Sequence, residues 1–161
     1  MVPMIILGVD PGLASTGWAV LEKTSQNRLV DYGCVKTAAG LDFSNRLGHL
    51  FQAMEDLIKQ FSPEVMAVEE LFFAQNVKTA IKVAQAQGVI KLAGAQSGLK
   101  VVEYTPLNIK MSITGYGRGD KRQIEFMVKK LLNLEKEIRP SHAADAAAVA
   151  LTHIFTNQNL K

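Results

Sequence analysis

Apolar residues change their spacing several times along the chain, and each change predicts an element. Met4-Ile-Ile-Leu-Gly-Val is a continuous apolar run closed by Asp10-Pro11-Gly12, the pattern of a buried strand entering a tight turn. Thr16–Leu21 and Arg28–Thr37 read as two more strands, separated by turn residues at Ser25–Asn27, so the chain opens with an antiparallel meander. From Asp42 to Phe61 the period lengthens. Leu47, Leu50, Phe51, Met54, Leu57 and Ile58 recur three or four apart, on one face of a helix. Ser62-Pro63 ends it, because the residue before proline is pushed out of helical conformation. Val65-Met66-Ala67-Val68 is short and wholly apolar, as expected of a parallel strand covered on both faces.

Gln75–Ser97 predicts a long helix. Its apolar positions (Val77, Ala80, Ile81, Val83, Ala84, Ala86, Val89, Ile90, Leu92, Ala93, Ala95) nearly encircle it. A surface helix needs one apolar stripe, so a second stripe implies a partner. Ala80, Ala84, Gly88 and Ala95 leave room for close approach, and a homodimer is expected in preference to a central helix inside a monomer. Lys100–Tyr104 is another strand, and Thr105-Pro106 supplies a cap and a first-turn proline for a short helix. The loop Gly115-Tyr-Gly-Arg-Gly-Asp120 precedes helices at Lys121–Leu132 and Ser141–Phe155. Three antiparallel strands followed by alternating helices and parallel strands predict an α/β layered fold with a mixed sheet. No linker, repeat or low-complexity tract divides residues 1–161, which are expected to form one domain.

Composition narrows the class only modestly. The chain has 161 residues, 48% hydrophobic and 20% charged, enough for a sizeable core. No apolar run approaches the roughly 20 residues that span a bilayer. Val2–Val9 lacks a basic leader and a small-residue cleavage site, so it is expected to be a strand and not a signal peptide. One cysteine, Cys34, excludes an internal disulfide and fits a reducing cytoplasm; a half-buried strand position is its simplest role. A net charge of +3 permits a polyanionic partner without requiring one.

Chemistry enters with the acids. Asp10 ends the first strand, Glu69 ends the strand Val65–Val68, and Asp145 is placed in the first turn of the final helix, with His142 at i−3 on the same face. A carboxylate at the end of a buried strand is costly unless it reaches water, a base or a cation. Each residue has a plainer reading: a turn aspartate, a solvated strand end, an acid facing the helix dipole, a capping histidine. Together they form a hard-oxygen environment suited to Mg²⁺ or Mn²⁺, and two such ions about 4 Å apart can clamp a phosphoryl displacement.

Gly8-Val-Asp-Pro-Gly12 with Thr16-Gly-Trp18, Val68-Glu-Glu-Leu-Phe-Phe73 with Asn76, and Ala84-Gln-Ala-Gln-Gly-Val89 make the opening half recognisable. Glu103-Tyr-Thr-Pro106 with Lys110, Gly115-Tyr-Gly117 with Lys121, and His142-Ala-Ala-Asp-Ala146 through Ala150-Leu-Thr-His153 complete the series. In this order and spacing they resemble the RuvC family of Holliday junction resolvases, over nearly the whole chain. The resemblance implies a ribonuclease-H-like three-layer fold with a five-stranded mixed sheet. It also implies a magnesium- or manganese-dependent, dimeric endodeoxyribonuclease of recombination and repair that nicks four-way DNA junctions symmetrically.

On that resemblance Asp10, Glu69, His142 and Asp145 are the metal ligands and catalytic centre, with Lys121 stabilising developing charge. Glu70 is expected to point away from Glu69 by strand alternation. Many relatives carry a carboxylate where this chain has His142, so acid pH is expected to weaken metal binding here. Phe72 matches an aromatic that packs against junction bases. Lys110 and Lys121 match basic positions near the scissile phosphate; Arg118, Lys78 and Lys82 are further candidates for DNA contact, the last two equally readable as a solvated face. A branch-migration complex of the RuvA–RuvB kind is the implied partner, and no membrane is involved. Three competing readings are a sugar-kinase-like ATPase module, which needs a longer two-lobed chain, a junction-binding protein without catalysis, and a related nuclease acting on structured RNA.

Overall fold

The computed structural model describes residues 2–12, 14–70 and 76–158, with residue 158 described by its backbone alone. Strands β1 (Met4–Asp10), β2 (Ser15–Lys23) and β3 (Arg28–Lys36) form the antiparallel meander. They are followed by α1 (Phe43–Phe61), β4 (Val65–Glu69), α2 (Val77–Gln96), β5 (Lys100–Tyr104), α3 (Pro106–Thr114), α4 (Lys121–Leu131) and α5 (Ser141–Gln158). The five strands lie in the order β3-β2-β1-β4-β5, with β4 and β5 parallel to β1. The predicted mixed sheet is therefore the observed one.

Strand alternation divides the interior in two. Leu7, Val9, Val20, Met66 and Val68 face α1 and α2, where they pack on Leu50, Met54, Ala86 and Ile90. Ile6, Ala19, Leu21, Val65 and Ala67 face the opposite layer, formed by α3, α4 and α5. Asp10 shares the parity of Ile6 and Gly8, and Glu69 that of Val65 and Ala67, so both carboxyls belong to the α5 face. The period of two thus aims both acids at one helix.

That helix comes unusually close. α5 is rich in alanine, and Ala143, Ala144, Ala146, Ala147 and Ala150 are fully or almost fully buried against the sheet. Two glycines admit it. A Cβ on Gly8 would lie 2.1 Å from the Ala146 carbonyl oxygen, and one on Gly17 would lie 2.0 Å from the His142 carbonyl oxygen. Gly17 is also the ladder partner of Asp10, so the start of α5 is seated directly beside that acid.

Several boundaries move. Helix α2 starts at Val77, where the Asn76 side chain caps the amides of Lys78 and Thr79, and the expected start at Gln75 lies outside the described residues. Helix α5 runs past Phe155 to Gln158. The first turn of α5 contains no acidic residue, so Asp145 stands one turn in and is not placed to serve the helix dipole. Cys34 is a free, half-buried residue of β3, as expected. Among the described residues no helix is long and apolar enough to cross a membrane.

Candidate metal centre and phosphate cleft

The ladder between β1 and β4 stops at Val9–Val68, one residue before each strand ends. Asp10 and Glu69 therefore stand at an open fork, free to turn their side chains toward each other. Their carboxyls share a hydrogen bond. His142 Nδ1 is 3.0 Å from Asp10 Oδ2, which leaves Nε2 of the imidazole unused by that contact. Ligand atoms of Asp10, His142 and Asp145 all lie within 4.8 Å of one another. Glu69 joins this group through Asp10.

The charges are poorly compensated. Burial pushes the Asp10 carboxyl up to about 6, opposed by the hydrogen bond with Glu69 and reinforced by the charge of Asp145. Burial, then the charge of Asp10, pushes Glu69 up to about 8, and Lys121 offsets only part of this. The pair is thus held above the ordinary carboxylate range and keeps a proton between its members near neutral pH. A carboxyl held above its unfolded value destabilises the fold as pH rises from that value to the folded one. The whole penalty is present above about pH 8. With about 1.4 kcal/mol per pKa unit, reduced for partial exposure to the cleft, the penalty is on the order of 2–3 kcal/mol. Metal-free protein is accordingly expected to melt several degrees lower near pH 8.5 than near pH 5.5. Glu69→Gln should remove most of that difference, and a flat melting profile for the parent protein would contradict the assignment.

Basic groups border the same acids. A cavity of about 270 Å³ is lined by Glu69, Asp145, Lys110, Lys121 and Pro106, among others. Lys121 Nζ lies 3.4 Å from Asp145 Oδ2. Its position follows from the start of α4, where Asp120 and Gln123 cap each other. The preceding loop is tied back to α3: Gly115 takes the left-handed conformation that ends that helix, Thr114 Oγ1 donates to the Lys110 carbonyl at 2.7 Å, and a Cβ on Gly119 would touch the Thr114 side chain at 2.8 Å. A second cavity of about 230 Å³ lies on the other side of Glu69 and includes Asp10, Glu70 and Gln87.

The structure brings together Asp10, Glu69, His142, Asp145, Lys110 and Lys121. It does not bring in Arg118, Lys78 or Lys82. Arg118 is exposed on the loop before α4, and Lys78 and Lys82 are exposed on α2, where Lys82 Nζ sits 5.6 Å from the centre of the Phe43 ring. Phe72 lies outside the described residues. Glu70 borders the cavity that also includes Val83 and Gln87 of α2, and it is not among the residues lining the cavity beside α3, α4 and α5. Sequence reasoning gave no structural role to Gly8, Gly17 or Gln87; their signals were small residues at strand positions and an amide within an apolar helix.

Two carboxylates and an imidazole from β1 and α5, with Glu69 of β4 beside them, fit a divalent cation, the oxygens suiting Mg²⁺ or Mn²⁺ and the imidazole widening the choice toward softer ions. The uncompensated charge of the Asp10–Glu69 pair is what such a cation would neutralise.

The family model of crossover junction endodeoxyribonuclease RuvC matches residues 6–153. A crossover junction endodeoxyribonuclease RuvC from Halothermothrix orenii is 50% identical over 151 residues, covering 93% of this chain and 92% of that protein. Among solved structures, Thermus thermophilus RuvC superposes with a TM-score of 0.89 at 34% identity, covering 97% of this chain and 96% of the other. The same Thermus thermophilus protein in complex with Holliday junction substrate gives 0.89 at 32% identity, with the same coverage.

Proposed function

Because the chain belongs to the RuvC family of crossover junction endodeoxyribonucleases, we propose that it resolves four-way DNA junctions by paired symmetric nicks, in recombination and DNA repair. The observation that carries this reading is the convergence of Asp10, His142 and Asp145 within 4.8 Å, beside Glu69 and the lysine-lined cleft. Two Mg²⁺ or Mn²⁺ ions held by Asp10, Glu69, His142 and Asp145 would, when bound, polarise the scissile phosphate and make the attacking water more acidic.

The chain's own groups do the rest. Asp10 fixes the His142 ring through the 3.0 Å contact with Nδ1. Lys121 holds positive charge at 3.4 Å from Asp145, where it can follow charge gathering on a phosphoryl group. Lys110, across the same cavity, attracts and seats the DNA backbone. Phe72, Lys78, Lys82 and Arg118 are proposed as outer DNA contacts, with Phe72 stacking on a distorted base.

Two opposed nicks need two centres related by a two-fold axis. Helix α2 offers a surface for such a dimer. Val77, Ile81 and Leu92 are 64%, 54% and 49% exposed, and they align with exposed Ala84, Gly88 and Ala95 in one stripe along the helix. Ala80, expected on that stripe, is instead buried in the chain's own core. On the resemblance alone, residues 1–161 act as one nuclease domain in the cytoplasm, delivered to junctions by a branch-migration complex.

Synthetic junctions test the proposal. With Mg²⁺ or Mn²⁺, the protein should cut mobile and immobile four-way junctions at symmetric positions on opposed strands. Failure to cut with either ion, or equal cutting of linear duplex, would overturn it. For His142→Ala, single-turnover cleavage should fall by about 10–100-fold, with junction affinity in gel shifts changed less than about twofold. Near-normal turnover would remove His142 from the centre.

A further inference from the structure

Gln87 is 6% exposed on α2, and its side-chain Nε2 donates to the backbone carbonyl of Glu69 at 2.9 Å. A buried glutamine bonded to the last peptide of a strand calls for a reason, because strand carbonyls are ordinarily satisfied by the ladder. The register supplies one. Glu70 N–H donates to the Tyr104 carbonyl at 2.8 Å, so the backbone groups of residue 70 face β5. In a parallel strand the groups of the preceding residue face the other way, and the Glu69 carbonyl points toward β1. Continuing the pairing from Val9–Val68, the donor opposite that carbonyl belongs to residue 11. Residue 11 is Pro11, which has no N–H. This accounts for the end of the ladder one residue early. It would also leave the Glu69 carbonyl without a partner in the absence of Gln87.

We propose that Gln87 is a positioning residue for the nuclease centre, its amide standing in for the ladder hydrogen bond that Pro11 cannot donate. Pro11 opens the fork between β1 and β4 that lets Asp10 and Glu69 face each other. Gln87 then holds the loosened end of β4, so that the Glu69 carboxyl keeps its place beside Asp10. Gln87 also borders the cavity containing both acids, so its anchoring point is at the site and not behind it. The inference rests on the proposed role of Glu69.

The test compares Gln87→Met, which keeps length without a donor, with Gln87→Leu, which keeps a branched side chain of similar bulk and likewise offers no donor. Glu69→Gln serves as the control. Three readouts are taken: the Mn²⁺ concentration giving half of the full thermal shift in DNA-free protein, kcat, and KM for junction DNA. For both Gln87 variants the Mn²⁺ midpoint should rise and kcat should fall, each by about tenfold. KM should stay within about twofold, because the junction touches other residues. A wild-type Mn²⁺ midpoint and kcat in either folded variant would overturn the inference, as would a loss confined to KM. If Glu69→Gln itself cuts normally, the assigned centre is wrong. If Glu69→Gln is inactive while Gln87→Met is normal, only the role of Gln87 fails.

Discussion

Asp10→Asn is expected to reduce single-turnover junction cleavage by about a thousandfold or more, with the fold and junction binding preserved. Asparagine matches aspartate in size, so β1 and its pairing with Gly17 are undisturbed. What changes is chemistry. Asp10 contacts the proposed ligands on both sides, His142 at 3.0 Å and Glu69 through the shared hydrogen bond, and is within reach of Asp145. Loss of one hard anionic donor from a four-residue set withdraws several kcal/mol of transition-state stabilisation, and about 4 kcal/mol corresponds to three orders of magnitude. Stability should move the other way. Ionised Asp10 is disfavoured by burial and by Asp145, so its neutral replacement should melt no lower than the parent in metal-free buffer near pH 8. That pairing of lost activity with retained or improved stability separates a chemical role from a structural one. Cleavage within about tenfold of the parent would show that Asp10 does not bear on the reaction.

The positions of the acids were legible because strand alternation is strict. Ile6, Gly8 and Asp10 share one face and Val65, Ala67 and Glu69 share it across the sheet, so finding the two strands was enough to aim both carboxyls. His142 and Asp145 were legible as an i, i+3 pair on one helix. The approach of α5 across Gly8 and Gly17 was hidden, since glycine in a strand reads as a weak position until the element above it is known. The role of Gln87 was hidden for a related reason. It depends on the register between β1 and β4 and on which residue of β1 lacks a donor, and periodicity within one segment carries neither. The lysines were least legible. Lys110 and Lys121 border the acids while Lys78 and Lys82 are exposed near the start of α2, a distinction set by tertiary placement alone.

The seat of α5 makes the second large effect. In Gly17→Ala the new Cβ would sit 2.0 Å from the His142 carbonyl oxygen, 2.3 Å from its carbonyl carbon and 2.9 Å from its Cβ. Two of these are backbone atoms, so a rotamer change cannot relieve the contact. The start of α5 must move away by roughly an ångström, carrying His142 and Asp145 with it while Asp10 stays in the sheet. Misplacement of that size costs about a hundredfold in rate. Overpacking of this kind also costs about 1–3 kcal/mol, or several degrees in Tm for a chain of this length. Gly33→Ala provides the contrast: its Cβ would press on the Trp18 ring at 2.9 Å, a side-chain contact away from the acids. Gly33→Ala should therefore lower Tm without changing cleavage per folded molecule, whereas Gly17→Ala should lower both. Equal cleavage by the two variants, measured on the folded fraction, would mean that α5 can shift without consequence for the reaction, and would detach His142 and Asp145 from the centre.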